Sequence, residues 1–516
     1  MATEAGLARV LRVRGAQALC ALGPVAEPPT VGDLVTFAGT EAIPVGMVHA
    51  LHRRREDDVA LFEVQLLGEL VGAPRPRFRR GVRRPPALGA AVRRARPEEE
   101  RTVYLPPSAA VIDLGHVRGR PEVPARLVVD ALLGKHFAIV GSTGSGKSTV
   151  LARILHELLA AWPAAHVLLV DPHGEYAAAF GGTARVLDVD RLDLPHWLLG
   201  FEELARVVLG EGAEEARAER IALYDALLAA RRRGAALLAD RRVSVDTPVP
   251  YPYSFLAEWL EEARGALERA HERSVLGRLI QRLELARGNP RNAFLFRDLI
   301  SQDQLPALLA RIFAFEPGGP AITVLDTSAL AAETAEVVVA TLARLAFEIG
   351  LWSEPERRRP LLFACEEAHR YAPATHAQGF PACRRALERL AREGRKYGAA
   401  LALVSQRPAD LSPTALSQCG TILALRTGND VDRRYIERAL PDGCGHLAEA
   451  LPALATGEAL VAGEGTPVPA IVAVRDLDEG RRPRSRTPSF AEAWRHPCGD
   501  IAHLEDVVRR WRRGGG

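Results

Sequence analysis

The chain has 516 residues, 47% hydrophobic and 25% charged, which is enough for about three globular units with cores of their own. A formal net charge of +3 excludes a histone-like polycation, and no apolar run reaches the roughly 18 residues that a membrane span requires. The opening, MATEAGLARVLRVRG, has no apolar stretch of the kind a secretory signal needs. The six Cys (Cys20, Cys365, Cys383, Cys419, Cys444, Cys498) form no CxxC pair, so a zinc ribbon or disulfide scaffold is not expected and a reducing cytoplasm is.

Only three of the 67 basic residues are Lys: Lys135, Lys147 and Lys396. In a chain that uses Arg almost everywhere, a surviving Lys marks a place that needs a compact ammonium. Residues 1 to about 70 alternate apolar and polar positions in short runs (ARVLRVRG, DLVTFAG, VGMVHAL, ALFEVQLLG) broken by Gly and Pro, the pattern of a small β-barrel. Residues 71–97 hold nine Arg and no acid. They read either as a solvated basic linker or subunit contact, or as a contact to nucleic-acid phosphate.

From about residue 130 the rhythm becomes strand–loop–helix. HFAIVG and HVLLVD are buried strands, with STVLARILHELLAAW a helix between them. Residues 195–315 are mostly helical in pattern, interrupted by Pro248, Pro250 and Pro252. Within them RRRGAALLADRR (231–242) reads as a solvated face. Strands return with AITVLD, LLFACEE, ALALVSQ, TILAL and EALVAG, and helices alternate with several of them. Strands separated by helices predict a mostly parallel, doubly wound α/β sheet. The tail is polar and Arg-rich, an extended arm or brace expected to be partly disordered. The expected organisation is a barrel over 1–100, core over 101–194, a helical insertion over 195–315, core again over 316–474 and an arm over 475–516. No internal repeat is evident.

Residues 141–149, GSTGSGKST, match G-x-x-x-x-G-K-[ST] between an apolar strand and an apolar-periodic helix, the context this motif requires. Gly141, Gly144 and Gly146 let the backbone curl, with Ser142, Thr143 and Ser145 between them, so that successive N–H groups face phosphate oxygens at a helix N-terminus. Lys147 is expected to bridge the β- and γ-phosphates, Ser148 to supply a hydroxyl to Mg²⁺ and Thr149 to lie near the α-phosphate. Such a loop needs a strand-end acid. LLFACEEAH supplies Glu366, suited to hold Mg²⁺ through water, and Glu367, suited to polarise the attacking water. Asp171 ends HVLLVD, with Glu175 following in the loop. Asp171 reads as a second strand-end acid at the crevice or as a loop cap. Gln406 follows a third strand and reads as a γ-phosphate sensor or a plain loop amide. Arg392, Arg395 and Lys396 sit at the end of a helix pattern. There they can serve the helix dipole, or an Arg can act as a finger on a neighbouring subunit's nucleotide.

With GSTGSGKS, DPHGEY, EEAHRYAP, EGRKYG and SQRP in this order, the chain resembles the HerA family, hexameric DNA translocases of the HerA/FtsK superfamily, from the barrel to about residue 475. The resemblance implies a RecA-like core with a HAS-type barrel, ATP and Mg²⁺, and a homo-hexameric ring around double-stranded DNA. It makes Glu367 the catalytic glutamate with Glu366 beside it, and Arg392 or Arg395 the residue acting in trans. Lys135, in LLGKH, would face the neighbour's nucleotide. It also implies a partner: a NurA-like nuclease in DNA-end processing, or a sirtuin-like or other effector in antiphage defence. One departure is Glu366, where many P-loop motors have Asp. Two further readings stand beside this one. One is an ATP-regulated platform that assembles a defence effector without translocating. The other is a secretion or conjugation motor, against which the lack of a membrane segment counts. LSQCG, which follows Glu366 instead of preceding it, does not fit an ABC ATPase, and no acceptor pocket suggests a small-molecule kinase.

Overall fold

The computed structural model describes residues 7–23, 27–39, 41–53, 59–72, 75–105, 110–210, 216–237, 242–297, 304–375, 379–441, 443–484, 490–495 and 501–512. The chain forms two compact units. The first comprises residues 1–163, 402–409 and 416–478, and the second comprises 164–401, 410–415 and 479–516.

The first unit begins with β1 (Ala8–Arg14), β2 (Gln17–Leu22), β3 (Leu34–Phe37), β4 (Ala42–Arg53), β5 (Ala60–Val71), β6 (Arg77–Arg80) and β7 (Ala91–Arg94). Their order is β2-β1-β7-β3-β4-β5-β6, and a further β2–β5 pairing closes six of them into the expected barrel. Alternation explains the closure. Ala8, Val10, Ala18, Cys20, Val35, Phe37, Val48, Phe62, Val64 and Val92 point inward and fill the lumen. Part of the basic stretch that follows β5 is engaged inside this unit, through the guanidinium groups of Arg79, Arg80 and Arg93, while most of its arginines remain exposed. Buried Glu69 accepts hydrogen bonds from Arg79 Nη2 and from the N–H groups of Arg83 and Arg84. Arg80 donates to the carbonyls of Gly463, Thr466 and Pro467. Arg93 grips Glu99 with both guanidinium nitrogens at 2.6 and 2.7 Å.

The same unit holds β8 (Val111–Val117), β9 (Arg120–Val128) and β10 (Phe137–Val140), the helix Lys147–Ala161, and the strands β16 (Thr421–Leu425), β17 (Glu458–Gly463) and β18 (Ala470–Val474). β10 is parallel to β16 on one side and, on the other, to residues 402–405 of β15 (Ala399–Ser405). The remaining pairs, from β16 through β17, β18 and β8 to β9, are all antiparallel. This extension is not apparent from the alternating strand–helix rhythm, because β8 and β9 form a hairpin in a segment without an apolar run. Gly119, at φ 75°, makes its turn.

In the second unit β11 (Val167–Asp171), β12 (Ala184–Leu187), β13 (Ile322–Asp326) and β14 (Leu361–Cys365) are parallel in the order β12-β13-β11-β14. β11 and β14 are buried along their whole length, as strands covered on both faces must be. Between β12 and β13 lie the helices Phe201–Leu209, Arg217–Leu237, Ser254–Ala266, Ala270–Gly288 and Leu305–Ile312. One expectation fails here. Arg231, first of the charge run read as a solvated face, is fully buried. It donates to the carbonyls of Trp197, Leu199 and Val249, which tie the irregular chain on either side to its helix. Carbonyls with no partner in regular structure need a donor, and a guanidinium supplies several at once. Arg232 and Arg233 are exposed, and Arg241 lies outside the described residues.

The arm contributes the short helices Phe490–Ala493 and Ala502–Arg512. The disorder expected of it concerns in part 485–489, 496–500 and 513–516, which lie outside the described residues, as does Cys498. The other five Cys are buried. Among the described residues no helix is long and apolar enough to cross a membrane.

Candidate nucleotide site

In the first unit the phosphate loop leaves β10 and enters the helix Lys147–Ala161 through Gly146, whose φ of 103° is open to glycine and strained for any other residue. At Gly141 a Cβ would lie 2.8 Å from Leu425 Cβ and 2.9 Å from Ser145 Oγ, so the backbone approaches its neighbours as only glycine can. The loop is fastened from several sides. Gly141 N–H donates to Ser405 O, and both the N–H and the hydroxyl of Ser142 donate to Arg426 O. Ser145, fully buried, donates its hydroxyl to Ser142 O at 2.7 Å. Lys147 is also buried, and its ammonium donates to Ser142 O at 3.0 Å, folded over the loop. Ser148 and Thr149 occupy the first helical turn and are half-buried. Gln406, just beyond β15, accepts a hydrogen bond from the Thr143 hydroxyl, so the sequence-distant amide does meet the loop. Lys135 does something the sequence did not suggest, pairing with Glu464 inside its own unit. A glycine cradle, a single ammonium folded over it and hydroxyls at the helix start form a donor set that fits a triphosphate with its magnesium.

In the second unit the structure gathers the acids. Asp171 ends β11 and is fully buried. Its carboxylate accepts from Tyr176 N–H at 2.9 Å and His173 N–H at 3.3 Å, which is the loop-capping arrangement. Burial pushes its pKa up against the opposing pull of those N–H donors, and Asp326 adds to the rise. Glu366 directly follows β14 and its N–H donates to Val170 O, so its backbone is tied to β11. Glu367 has a left-handed backbone (φ 49°, ψ 43°), unusual for a residue other than glycine. It is buried, with His173 Nε2 3.7 Å from Oε1 and His369 Nδ1 3.3 Å from Oε2. Oε2 takes no hydrogen bond among the described residues. A buried carboxylate so placed is able to accept a proton from a bound water.

Arg392 and Arg395 are exposed at and just beyond the end of the helix Pro381–Glu393. Arg392 Nη1 lies 3.8 Å from Glu388, and Lys396 is exposed beside them. Three residues around the acids were not singled out from sequence: Tyr176, His173 and His369. All three lie inside the quoted motifs DPHGEY and EEAHRYAP, so the motifs flagged their neighbourhood and the fold supplies their partners. Glu175, noted as following Asp171, accepts Arg484 N–H on its carbonyl, which fixes the start of the arm to this loop.

The family described as "Helicase HerA, central domain" matches residues 112–346. The probable helicase MJECL08 of Methanocaldococcus jannaschii is 25% identical over 393 residues, covering 71% of each chain. The DNA double-strand break repair helicase HerA of Pyrococcus furiosus is 26% identical over 428 residues, covering 72% of this chain and 70% of its own. Among solved structures, VirB4 of Thermoanaerobacter pseudethanolicus superposes with a TM-score of 0.54 at 16% identity, covering 73% of this chain and 99% of that one. At this identity the likeness establishes the fold alone, an α/β core of this kind.

Proposed function

We propose that this chain, a P-loop ATPase of the HerA type, works as a cytoplasmic homo-hexameric ring that hydrolyses ATP to move along double-stranded DNA. The observation that carries the reading is the glycine cradle of residues 141–149, with the Lys147 ammonium folded over the loop onto Ser142 O. In the reaction, the loop N–H groups and Lys147 hold the β- and γ-phosphates. Ser148 and Glu366 would hold Mg²⁺, which when bound neutralises charge on the phosphate oxygens. Glu367 takes the proton of the attacking water, and Gln406 orients the γ-phosphate end. Asp171 caps the loop beside the acids and serves as a further strand-end carboxylate of the site.

Arg392 or Arg395, exposed on the single chain, supplies a cation to the neighbouring protomer's nucleotide. Such a finger is worth roughly 10³–10⁵ in rate, so hydrolysis depends on assembly, and head-to-tail contacts close a ring. DNA is held through phosphates without sequence preference and with strong salt dependence. The organisation that serves this is the barrel over 1–100, the core over 101–194 and 316–474, the helical insertion over 195–315 and the arm. The ring acts with a NurA-like nuclease in DNA-end processing or with a sirtuin-like or other effector in antiphage defence.

The test is ATP hydrolysis as a function of protein concentration, with and without linear duplex. Turnover per chain rises with assembly and with DNA, and Lys147→Ala abolishes it. Full turnover in Lys147→Ala removes the phosphate-site reading. Full turnover in dilute monomer, indifferent to duplex, leaves an ATP-binding platform as the better account.

A further inference from the structure

Glu366 is held twice by one short segment. Its backbone N–H donates to Val170 O at 3.2 Å, and its Oε2 accepts from the Tyr176 hydroxyl at 3.1 Å. Tyr176 is fully buried, and Glu366 nearly so. Tyr176 is itself fixed, because its N–H donates to Asp171 Oδ2 at 2.9 Å, and Asp171 O accepts Thr327 N–H at 3.0 Å from beyond β13. Asp171, Tyr176 and Glu366 therefore form a rigid relay from the end of β11 to the carboxylate that follows β14.

We propose that Tyr176 is a positioning residue for Glu366, orienting its carboxylate as a ligand for the nucleotide's magnesium, and that this contact is why the chain carries Glu rather than Asp at this position. The inference rests on the nucleotide reading above and deepens it. A phenol O–H donating to a carboxylate is a charge-assisted bond that fixes the orientation of the group. Asp would place its carboxylate one C–C bond, about 1.5 Å, further back toward the main chain, out of reach of a hydroxyl that the Asp171 clasp holds in place. A group that orients a metal ligand without touching the metal typically contributes 10–100-fold in metal affinity or activity.

The experiment compares the full-length chain with Tyr176→Phe, Glu366→Asp and the double variant. The first readout is the Mg²⁺ concentration that half-saturates ATP hydrolysis. The second needs no turnover: the rise in melting temperature given by ADP with Mg²⁺ against ADP with a chelator. Tyr176→Phe is expected to raise the half-saturating Mg²⁺ roughly 10-fold. It should leave KM for ATP at saturating Mg²⁺ unchanged and lose only the Mg²⁺-dependent part of the thermal shift. Glu366→Asp should match it, and the double variant should be no worse than either single one. An unchanged Mg²⁺ dependence in Tyr176→Phe, or additive losses in the double variant, overturns the proposal. Either result would leave the phosphate-site reading intact, since that stands or falls with Lys147→Ala.

Discussion

The left-handed backbone of Glu367 makes a prediction in which stability separates two variants that activity does not. At φ 49° and ψ 43°, a residue with a Cβ is strained by roughly 1–2 kcal/mol. At an ordinary position Gly is less stable than Ala by roughly 0.5–1 kcal/mol, because its unfolded chain is freer. Comparing Glu367→Gly with Glu367→Ala cancels everything the glutamate side chain touches and leaves only these two quantities. The strain exceeds the entropy, so Gly should be the more stable variant by about 0.5–1 kcal/mol, which is about 1–3 °C in melting temperature for a unit of this size. The assay is thermal unfolding without nucleotide and with a chelator, so that metal binding does not enter. Both variants should lose about 10²–10⁴ in hydrolysis if Glu367 is the base. Glu367→Gln, which keeps shape and backbone, should lose the same turnover while still binding nucleotide. An Ala variant as stable as Gly would show that position 367 bears no strain. A Gly variant that still hydrolyses ATP would remove Glu367 from the mechanism.

Two further outcomes are expected. His196 is buried against Tyr251, Tyr253 and Phe296 and donates to Tyr251 O, and burial lowers its pKa to about 4 from 6.5. Between these values the unfolded chain takes up a proton that the folded chain refuses. Stability therefore falls as pH drops from 6.5 to 4, by roughly 3 kcal/mol from this group. His196→Gln should flatten the pH dependence of the melting temperature across that window, and an unchanged slope would refute the assignment. In mixed rings, subunits carrying Arg392→Ala or Arg395→Ala should regain activity from partners that carry Lys147→Ala and an intact finger. Mixtures no more active than the sum of their parts would place the arginines in cis.

What could be read from sequence follows from how local each feature is. The phosphate loop was legible because its strand, glycines, lysine and helix are contiguous, and a steric need such as the crowding at Gly141 leaves a mark at a single position. The carboxylate pair was legible as a strand ending in two acids. The contact between Tyr176 and Glu366 was not, because 190 residues separate the two in the chain and the pairing of β11 with β14 is what brings them together. Local composition also misled. The run RRRGAALLADRR looks solvated because charge usually is, yet Arg231 is buried by three carbonyls on segments 18 to 34 residues away, which no window on the helix contains. The same applies to the basic stretch after β5. Its nine Arg read as a solvated linker or subunit contact, or as a contact to phosphate, while the fold turns Glu69, Glu99 and the carbonyls around Gly463 toward three of them. A cation's surroundings are set by what the fold carries to it, so charge density along the chain overstates the basic surface left for a partner. The arginines most open to a partner are those the fold leaves exposed, among them Arg392 and Arg395, which is why the mixed-ring experiment weighs more than any count of basic residues.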